Sequence, residues 1–184
     1  MNIVRQKTIL LVEDDAILVL SEKLALEKYG YSVLTVTNGE KAIEFVNNIP
    51  GIDLILMDIN LGPGMDGTQV AESILKTHDV PIVFLSSHSE REIVEKTERI
   101  TSYGYVVKTS SITVLDASIK MAFKLFDANR SIRNSETRQN IMISNISDVI
   151  GVMDVEGCIK YKSPNSEKWF GWKSEDLARI SHAY

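Results

Sequence analysis

Five short apolar runs, separated by longer segments with helical spacing, constrain the fold of this 184-residue chain more than any other feature. Such runs predict strands that are buried on both faces of a sheet. The candidate strands cover residues 8–12, 31–36, 54–57, 81–85 and 105–107. Because the connections are long enough for helices, they predict parallel strands with right-handed crossovers. The fold class is therefore α/β, a doubly wound five-stranded parallel sheet.

Five helices are predicted between and after these strands. They cover residues 16–29, about 39–49, 67–76, 90–102 and a segment that starts at 112. In the first helix, Ile17, Leu20, Leu24 and Ala25 lie on one face, and Asp15 is the expected N-cap. The last helix carries Leu115, Ile119, Ala122, Phe123 and Phe126 on one stripe.

The sequence changes character after this pattern, which predicts three parts. Residues 7–127 form the α/β domain, and residues 128–140 are rich in polar side chains without Pro or Gly, which favours a helical connector over a loose linker. Residues 141–184 predict a hairpin and a helix or two, which is too little for an independent core.

Composition restricts the class of function. The net charge of −5 gives no general attraction to nucleic acid or anionic membrane, and no apolar run reaches the length of a membrane span. The single cysteine excludes an internal disulfide and fits a reducing cytoplasm. We therefore expect a cytoplasmic location, with no nucleic-acid partner and no membrane span in this segment.

Chemically active side chains follow the predicted strands. Glu13 and Asp14 follow the first strand, Asp58 the third, Ser86 the fourth and Lys108 the fifth. Each has an ordinary interpretation alone, such as a turn for Asp58. The carboxyl ends of parallel strands meet at one edge of a sheet, so together these residues predict a site.

Three neighbouring carboxylates repel one another unless a cation compensates, and oxygen ligands suit Mg²⁺. The backbone carbonyl of Asn60 could supply a further oxygen. With Asp58 as nucleophile, and with Mg²⁺, Lys108 and the Ser86 hydroxyl at the phosphoryl oxygens, the set matches phosphoryl transfer to a carboxylate.

Over nearly all of residues 7–127 the sequence resembles the receiver domain of two-component response regulators, with its flavodoxin-like fold. The motifs that carry the resemblance are Leu11-Val12-Glu13-Asp14-Asp15, Leu56-Met57-Asp58-Ile59-Asn60, Met65-Asp66-Gly67, residues 81–86 and Gly104-Tyr105-Val106-Val107-Lys108. The resemblance implies Asp58 as phosphoacceptor, Glu13 and Asp14 at Mg²⁺, Asn60 as carbonyl ligand, and Ser86 and Tyr105 as switch residues. It also implies a histidine kinase or phosphotransfer protein as partner.

Two sequence features depart from the usual receiver pattern. Thr109 follows Lys108 where the family usually has a proline in cis, and the Gly62-Pro63-Gly64 loop is about one residue longer than the commonest form.

The tail resembles the start of a PAS sensor domain, through residues 145–150, 154–157, 161–166, 170–172 and 174–177. A receiver followed by PAS resembles the N-terminal part of hybrid sensory histidine kinases. The receiver itself would catalyse only its own phosphorylation and dephosphorylation. The last helix could relay the change to the tail, and residues 90–126 could form a homodimer face.

Two other classes share parts of this pattern. An Asp-nucleophile phosphatase needs a second carboxylate two residues after the nucleophile, and position 60 is Asn. A flavodoxin-like binder needs a phosphate-binding loop after the first strand, where Glu13, Asp14 and Asp15 would repel phosphate without a metal.

Overall fold

The computed structural model describes residues 5–87, 100, 103–144, 150–157, 159–163 and 166–167. The predicted helix over residues 90–102 lies outside these residues except for Ile100, and so does most of the predicted PAS segment. Within the described residues the chain forms two compact units, residues 1–127 and 128–184.

The first unit contains a parallel sheet of five strands. In chain order the elements are β1 (Thr8–Val12), α1 (Ala16–Lys28), β2 (Ser32–Val36), α2 (Gly39–Asn48), β3 (Leu54–Asp58), α3 (Gly67–Leu75), β4 (Ile82–Ser86), β5 (Tyr105–Val107) and α4 (Ile112–Ser144). The sheet order is β2-β1-β3-β4-β5, and every pairing is parallel. The predicted doubly wound fold is confirmed.

Side-chain alternation along the strands divides the core into two layers. Leu10 and Val12 of β1 pack with the residues of α2 and α3, whereas Ile9 and Leu11 pack with those of α1 and α4. All five residues of β3 are buried, because helices cover both faces of a central strand. Asp58 is therefore held at the end of a strand that is enclosed on both faces.

Helix α1 departs from the expected packing. Its N-cap is Asp15, whose side chain accepts hydrogen bonds from the backbone N–H groups of Ile17 and Leu18, as predicted. However, Ile17, Leu20 and Leu24 are 80%, 60% and 50% exposed. The face on which sequence analysis placed them does not pack on the sheet.

The opposite side of α1 makes the core contact. Leu26 is fully buried, and Val19 and Glu22 are partly buried. The helix therefore turns a carboxylate inward and an apolar stripe outward. Tertiary packing, rather than the amphipathic pattern, fixes its rotation.

Helix α4 packs on the sheet through the predicted stripe, since Leu115, Ile119 and Ala122 are buried. A buried polar contact adds to this packing: the Tyr31 hydroxyl donates to Asp116 Oδ1 at 2.8 Å. Lys120 Nζ lies 2.7 Å from Asp116 Oδ2. The predicted connector, residues 128–140, lies within the continuation of this helix to Ser144.

The second unit contains the predicted hairpin. Strands β6 (Gly151–Met153) and β7 (Ile159–Lys162) pair antiparallel. Their turn includes a hydrogen bond from the Glu156 N–H to Asp154 Oδ1, and Gly157 has a φ of 84°. Across the described residues, no helix is long and apolar enough to cross a membrane.

Candidate phosphoacceptor site

The parallel register of β1 and β3 brings the predicted carboxylates together. Val12 is paired with Met57, so Glu13 and Asp58, the next residues, leave the sheet side by side. One carboxylate oxygen from each of Glu13, Asp14 and Asp58 lies within 4.8 Å of the other two. Glu13 and Asp58 are buried, and Asp14 is exposed at the rim.

Lys108 connects the two buried carboxylates. Its Nζ atom lies 2.8 Å from Asp58 Oδ2 and also forms an ion pair with Glu13 Oε2. The three side chains are only 11%, 2% and 1% exposed for Lys108, Asp58 and Glu13. The predicted cation thus lies against the predicted acceptor.

Burial and ion pairing shift the pKa values of Glu13 and Lys108 in opposite directions. Burial is the largest influence on Glu13 and raises the pKa of its carboxyl, although Lys108 partly offsets it. For Lys108, burial alone would lower the pKa, but hydrogen bonds to Asp58 and Glu13 outweigh it, so the pKa is raised. Lys108 therefore remains a cation at neutral pH.

The loop after β3 is shaped by close backbone contacts. The Asn60 N–H donates to Asp58 Oδ1 at 3.2 Å, and the Gly67 N–H donates to the Ile59 carbonyl at 2.9 Å. A Cβ atom at Gly67 would overlap the Asp58 carbonyl, so only glycine fits there. At Gly62, φ is 69° and a Cβ would lie 3.0 Å from Asp14 Oδ2.

Ser86 lies on β4, the strand beside that of Asp58, and Tyr105 lies one strand further, on β5. Asp58 pairs in register with Leu85, the neighbour of Ser86, and Tyr105 pairs with Phe84. Ser86 is fully buried, and its carbonyl accepts a 2.8 Å hydrogen bond from the Lys108 N–H. Tyr105 is partly exposed and packs on the α2–α3 side of the core.

The carboxylate of Glu22 was missed by sequence analysis. It lines a cavity of about 200 Å³ between α1 and the β5–α4 segment, together with Leu18, Ala25, Lys108 and Leu115. Its Oε2 atom is buried without a hydrogen-bond partner among the described residues. Burial, then the charges of neighbouring carboxylates, raises its pKa to about 7. The sequence contains a signal for this position: Glu22 lies four residues before Leu26, so the two side chains share one face of the helix.

The donors at this sheet edge fit a hard divalent cation. All three side chains offer carboxylate oxygens, and the exposed position of Asp14 leaves the cluster open to solvent on one side. The chemistry of the donor set therefore matches Mg²⁺ better than a softer metal, which would favour nitrogen or sulfur ligands.

Comparison with known proteins agrees with this geometry. Residues 9–120 match the model of the response regulator receiver domain family, which is more than half of the chain. The chain belongs to the response regulator receiver family. Receiver domains bind Mg²⁺ at an acidic pocket and take phosphoryl groups from histidine kinases or phosphotransfer proteins. This chain is accordingly a phosphorylation-switched signalling receiver of a two-component system.

Similar proteins carry receivers in different contexts. The transcriptional regulatory protein PdtaR of Mycobacterium tuberculosis is 30% identical over 121 residues, covering 65% of this chain and 58% of that protein. The sensor kinase CckA of Brucella abortus is 29% identical over 115 residues, which cover 61% of this chain and only 12% of the kinase. The alignment thus covers little more than half of PdtaR and a much smaller share of CckA.

A solved structure shares both sequence and fold with the receiver. It is the N-terminal domain of a response regulator/sensory box/GGDEF three-domain protein from Carboxydothermus hydrogenoformans, at 45% identity and a TM-score of 0.63. The alignment covers 67% of this chain and 98% of that domain.

Proposed function

We propose that Asp58 is the residue that accepts the phosphoryl group, because it combines full enclosure in β3 with a direct contact to Lys108. The contact of 2.8 Å between Lys108 Nζ and Asp58 Oδ2 carries this proposal. A cation held against the acceptor by buried carboxylates is preorganised to stabilise the added charge of a phosphoryl group.

The transfer is a displacement at phosphorus. A phosphorus–oxygen bond forms to one Asp58 carboxylate oxygen, the phosphorus–nitrogen bond of the donor phosphohistidine breaks, and its electron pair remains on the histidine nitrogen. Lys108 then pairs with a phosphoryl oxygen, and the buried Ser86 hydroxyl donates to another.

Glu13, Asp14 and Asp58, with the Asn60 backbone carbonyl, are the residues that would hold Mg²⁺. When bound, Mg²⁺ supplies positive charge that offsets repulsion between the carboxylates and the phosphoryl oxygens. The support from this chain is the approach of the three carboxylates within 4.8 Å. Without a metal, Lys108 is the cation that pairs with Glu13 and Asp58 among the residues that the structure describes.

The proposed switch consists of Ser86 and Tyr105. Ser86 moves toward the phosphoryl group, and Tyr105 turns inward as β4 and β5 adjust. Ser86 lies on β4, next to the strand of Asp58, and the partly exposed Tyr105 lies on β5, next to β4, which supports a short path from the acceptor to Tyr105. The change reaches the surface formed by residues 90–126, which we propose as a homodimer face.

The donor is proposed to be a histidine kinase or phosphotransfer protein. The exposed apolar residues Ile17, Leu20 and Leu24 begin two residues after the N-cap of α1, which follows directly on Glu13 and Asp14. An apolar surface next to the acceptor suits a protein donor better than a small polar one.

We also propose the arrangement of the whole chain: a receiver at 7–127, a helical connector at 128–140 and the first part of a PAS domain at 141–184. The hairpin β6–β7 supports a PAS-like start. By analogy with a sensor kinase that contains a similar receiver, the parent protein is proposed to be a hybrid sensor histidine kinase.

Labelling with a small phosphodonor tests the acceptor. The wild-type chain, Asp58→Asn and the exposed-carboxylate control Asp127→Asn are incubated with Mg²⁺ and acetyl phosphate, and their intact masses are compared. We expect one phosphoryl group on wild type and on the control, and none on Asp58→Asn. Labelling of Asp58→Asn to the wild-type level would show that the acceptor is another residue.

A further inference from the structure

The cavity of about 200 Å³ that Glu22 lines has no role in the proposed phosphoryl transfer. It is enclosed by α1, the ends of β4 and β5, and the first turn of α4. Leu85, Val106 and Leu115 line it and are almost completely buried, whereas Leu18 and Ser110 line it and are exposed. The cavity therefore has an apolar inner end and an opening to solvent.

The size and lining of this cavity suit a small molecule with an apolar body. An apolar protein cavity of about 150 Å³ can hold a benzene molecule. The larger cavity here has room for one ring with a short substituent. A buried water needs roughly two to four polar partners, and the side chains of Leu85, Val106 and Leu115 offer it none. The inner end is therefore better filled by an apolar group than by water.

A carboxylate in the cavity wall lacks a hydrogen-bond partner. The Oε2 atom of Glu22 is buried, and none of the described residues donates a hydrogen bond to it. An unpaired buried acceptor costs free energy, because it has lost its water without a replacement. Burial, and then repulsion from Glu13, raises the pKa of Glu22 to about 7, which shows how weakly the protein compensates this carboxylate. A bound donor would supply the missing hydrogen bond.

The charges around Glu22 favour a cationic donor over a neutral one. The charged groups that act on Glu22 are the carboxylates of Glu13 and Asp58 and the ammonium of Lys108. That ammonium already pairs with both of the other carboxylates. A second cation would reduce the excess of negative charge among these described residues. A hydrogen bond between an ammonium and a carboxylate is also stronger than one between neutral groups.

We propose that this cavity binds a small primary amine with an apolar body. The ammonium group donates a hydrogen bond to Glu22 Oε2, and the apolar body packs against Leu85, Val106 and Leu115. A purely apolar occupant would leave the Glu22 carboxylate unpaired. An anionic occupant would add to the repulsion between the carboxylates.

The proposed site gives the receiver a second input next to the acceptor. Lys108 lines the cavity, and its Nζ atom contacts Asp58. An occupant therefore lies beside the residue that is proposed to pair with the phosphoryl group. The amine site goes beyond the proposed function and does not depend on which residue accepts the phosphoryl group. Acetyl phosphate labelling and amine binding can therefore fail separately.

Titration of the full chain with benzylamine, followed by backbone amide NMR, tests the site. Benzylamine carries one ring and one ammonium group, and benzyl alcohol is a neutral probe of nearly the same size. Both titrations are run without divalent cations at about pH 8, above the pKa of Glu22. We expect saturable benzylamine shifts at the amides of α1 and β5 that line the cavity, with a Kd on the order of 1 mM. Benzyl alcohol should bind about tenfold more weakly.

Three variants locate the bound amine. Glu22→Gln removes the charge at nearly constant size and should weaken benzylamine binding about tenfold. Glu27→Gln, at an exposed site on the same helix, is the matched control and should bind benzylamine like wild type. Ala25→Leu places a larger side chain in the cavity wall and should abolish binding of both probes. The amide spectrum of each variant reports its folding, and Glu22→Gln alone tests the contact if Ala25→Leu does not fold.

Three results would overturn the proposal. Absence of saturable shifts up to about 20 mM benzylamine would show that the cavity does not bind this class of ligand. Equal affinities of wild type and Glu22→Gln would exclude the contact with the carboxylate. Equal affinities for benzylamine and benzyl alcohol would exclude the preference for a cation.

Discussion

Lys108 Nζ lies 2.8 Å from Asp58 Oδ2 and at the same time pairs with Glu13, so one ammonium compensates two buried carboxylates from different strands. This arrangement ties the end of β5 to the ends of β1 and β3. Because Lys108 contacts Asp58 directly, any change in the charge of Asp58 alters the electrostatic interaction of this ammonium group.

Replacement of Lys108 by Met should destabilise the fold at neutral pH. The change leaves Glu13 and Asp58 buried without their cation, which should lower the free energy of unfolding by about 3 kcal/mol. The loss should shrink in acid as the Glu13 carboxyl, whose pKa is raised by burial, takes up a proton. Urea denaturation at several pH values measures it, with the exposed Lys41→Met as control; equal stability of both variants would contradict the prediction.

Mg²⁺ should stabilise the wild-type chain and raise its melting temperature, because a ligand that binds only the folded state shifts the unfolding equilibrium. Asp14→Asn should remove most of this gain, since it removes the exposed carboxylate of the cluster. Asp127→Asn, also exposed, should retain the gain. Thermal denaturation with and without Mg²⁺ checks both, and equal gains in the two variants would exclude Asp14 as a ligand.

Glu22→Gln should stabilise the receiver in alkaline but not in acidic solution. The folded pKa of Glu22, about 7, exceeds its usual value of 4.5. Wild type therefore loses stability as the pH rises through this window, because Glu22 must ionise in a buried position and near Glu13 and Asp58. Lys108 offsets part of the repulsion. With allowance for solvent screening, the variant should gain about 1–2 kcal/mol at alkaline pH.

Urea denaturation across this pH range measures the Glu22 effect. Glu44→Gln, at an exposed site on α2, is the control and should show no pH-dependent gain. A Glu22→Gln stability curve parallel to that of wild type would contradict the prediction.

Tyr31→Phe should lower the free energy of unfolding by about 1–2 kcal/mol, because it removes a 2.8 Å hydrogen bond to the buried Asp116 carboxylate. The matched control is Tyr29→Phe, whose hydroxyl lies 3.4 Å from Thr113 Oγ1 at an exposed site. Chemical denaturation measures the free energy of unfolding of each variant, and we expect a loss for Tyr31→Phe that Tyr29→Phe does not show. Losses of the same size would indicate that the buried contact adds no stability.

The strand pattern of the first unit could be read directly, because a parallel strand buried on both faces appears as a continuous apolar run. Three observed strands begin where the apolar runs begin, at Thr8, Leu54 and Tyr105. Strand β4 begins one residue after the start of its run at Pro81. The site followed from the same logic, since the topology carries the residues after each strand to one edge. Lys108, Asp58 and Glu13 meet there as expected.

The rotation of α1 could not be read in this way. Its most regular apolar residues, Ile17, Leu20 and Leu24, face solvent, while Glu22 faces the core. Amphipathic spacing indicates which residues share a face, but does not show which face meets the sheet when contacts such as that of Leu26 decide the rotation.

The sequence by itself determined the order of elements, the parallel sheet and the candidate phosphoryl-transfer residues, because these depend on local periodicity and on which residue follows each strand. Only the tertiary structure decided that Lys108 bridges Glu13 and Asp58, that Glu22 lines a cavity beside them, and that the apolar stripe of α1 remains exposed while that of α4 is buried. Those features depend on how separate elements rotate and approach one another. Long-range packing sets that geometry, which local patterns in the chain do not encode.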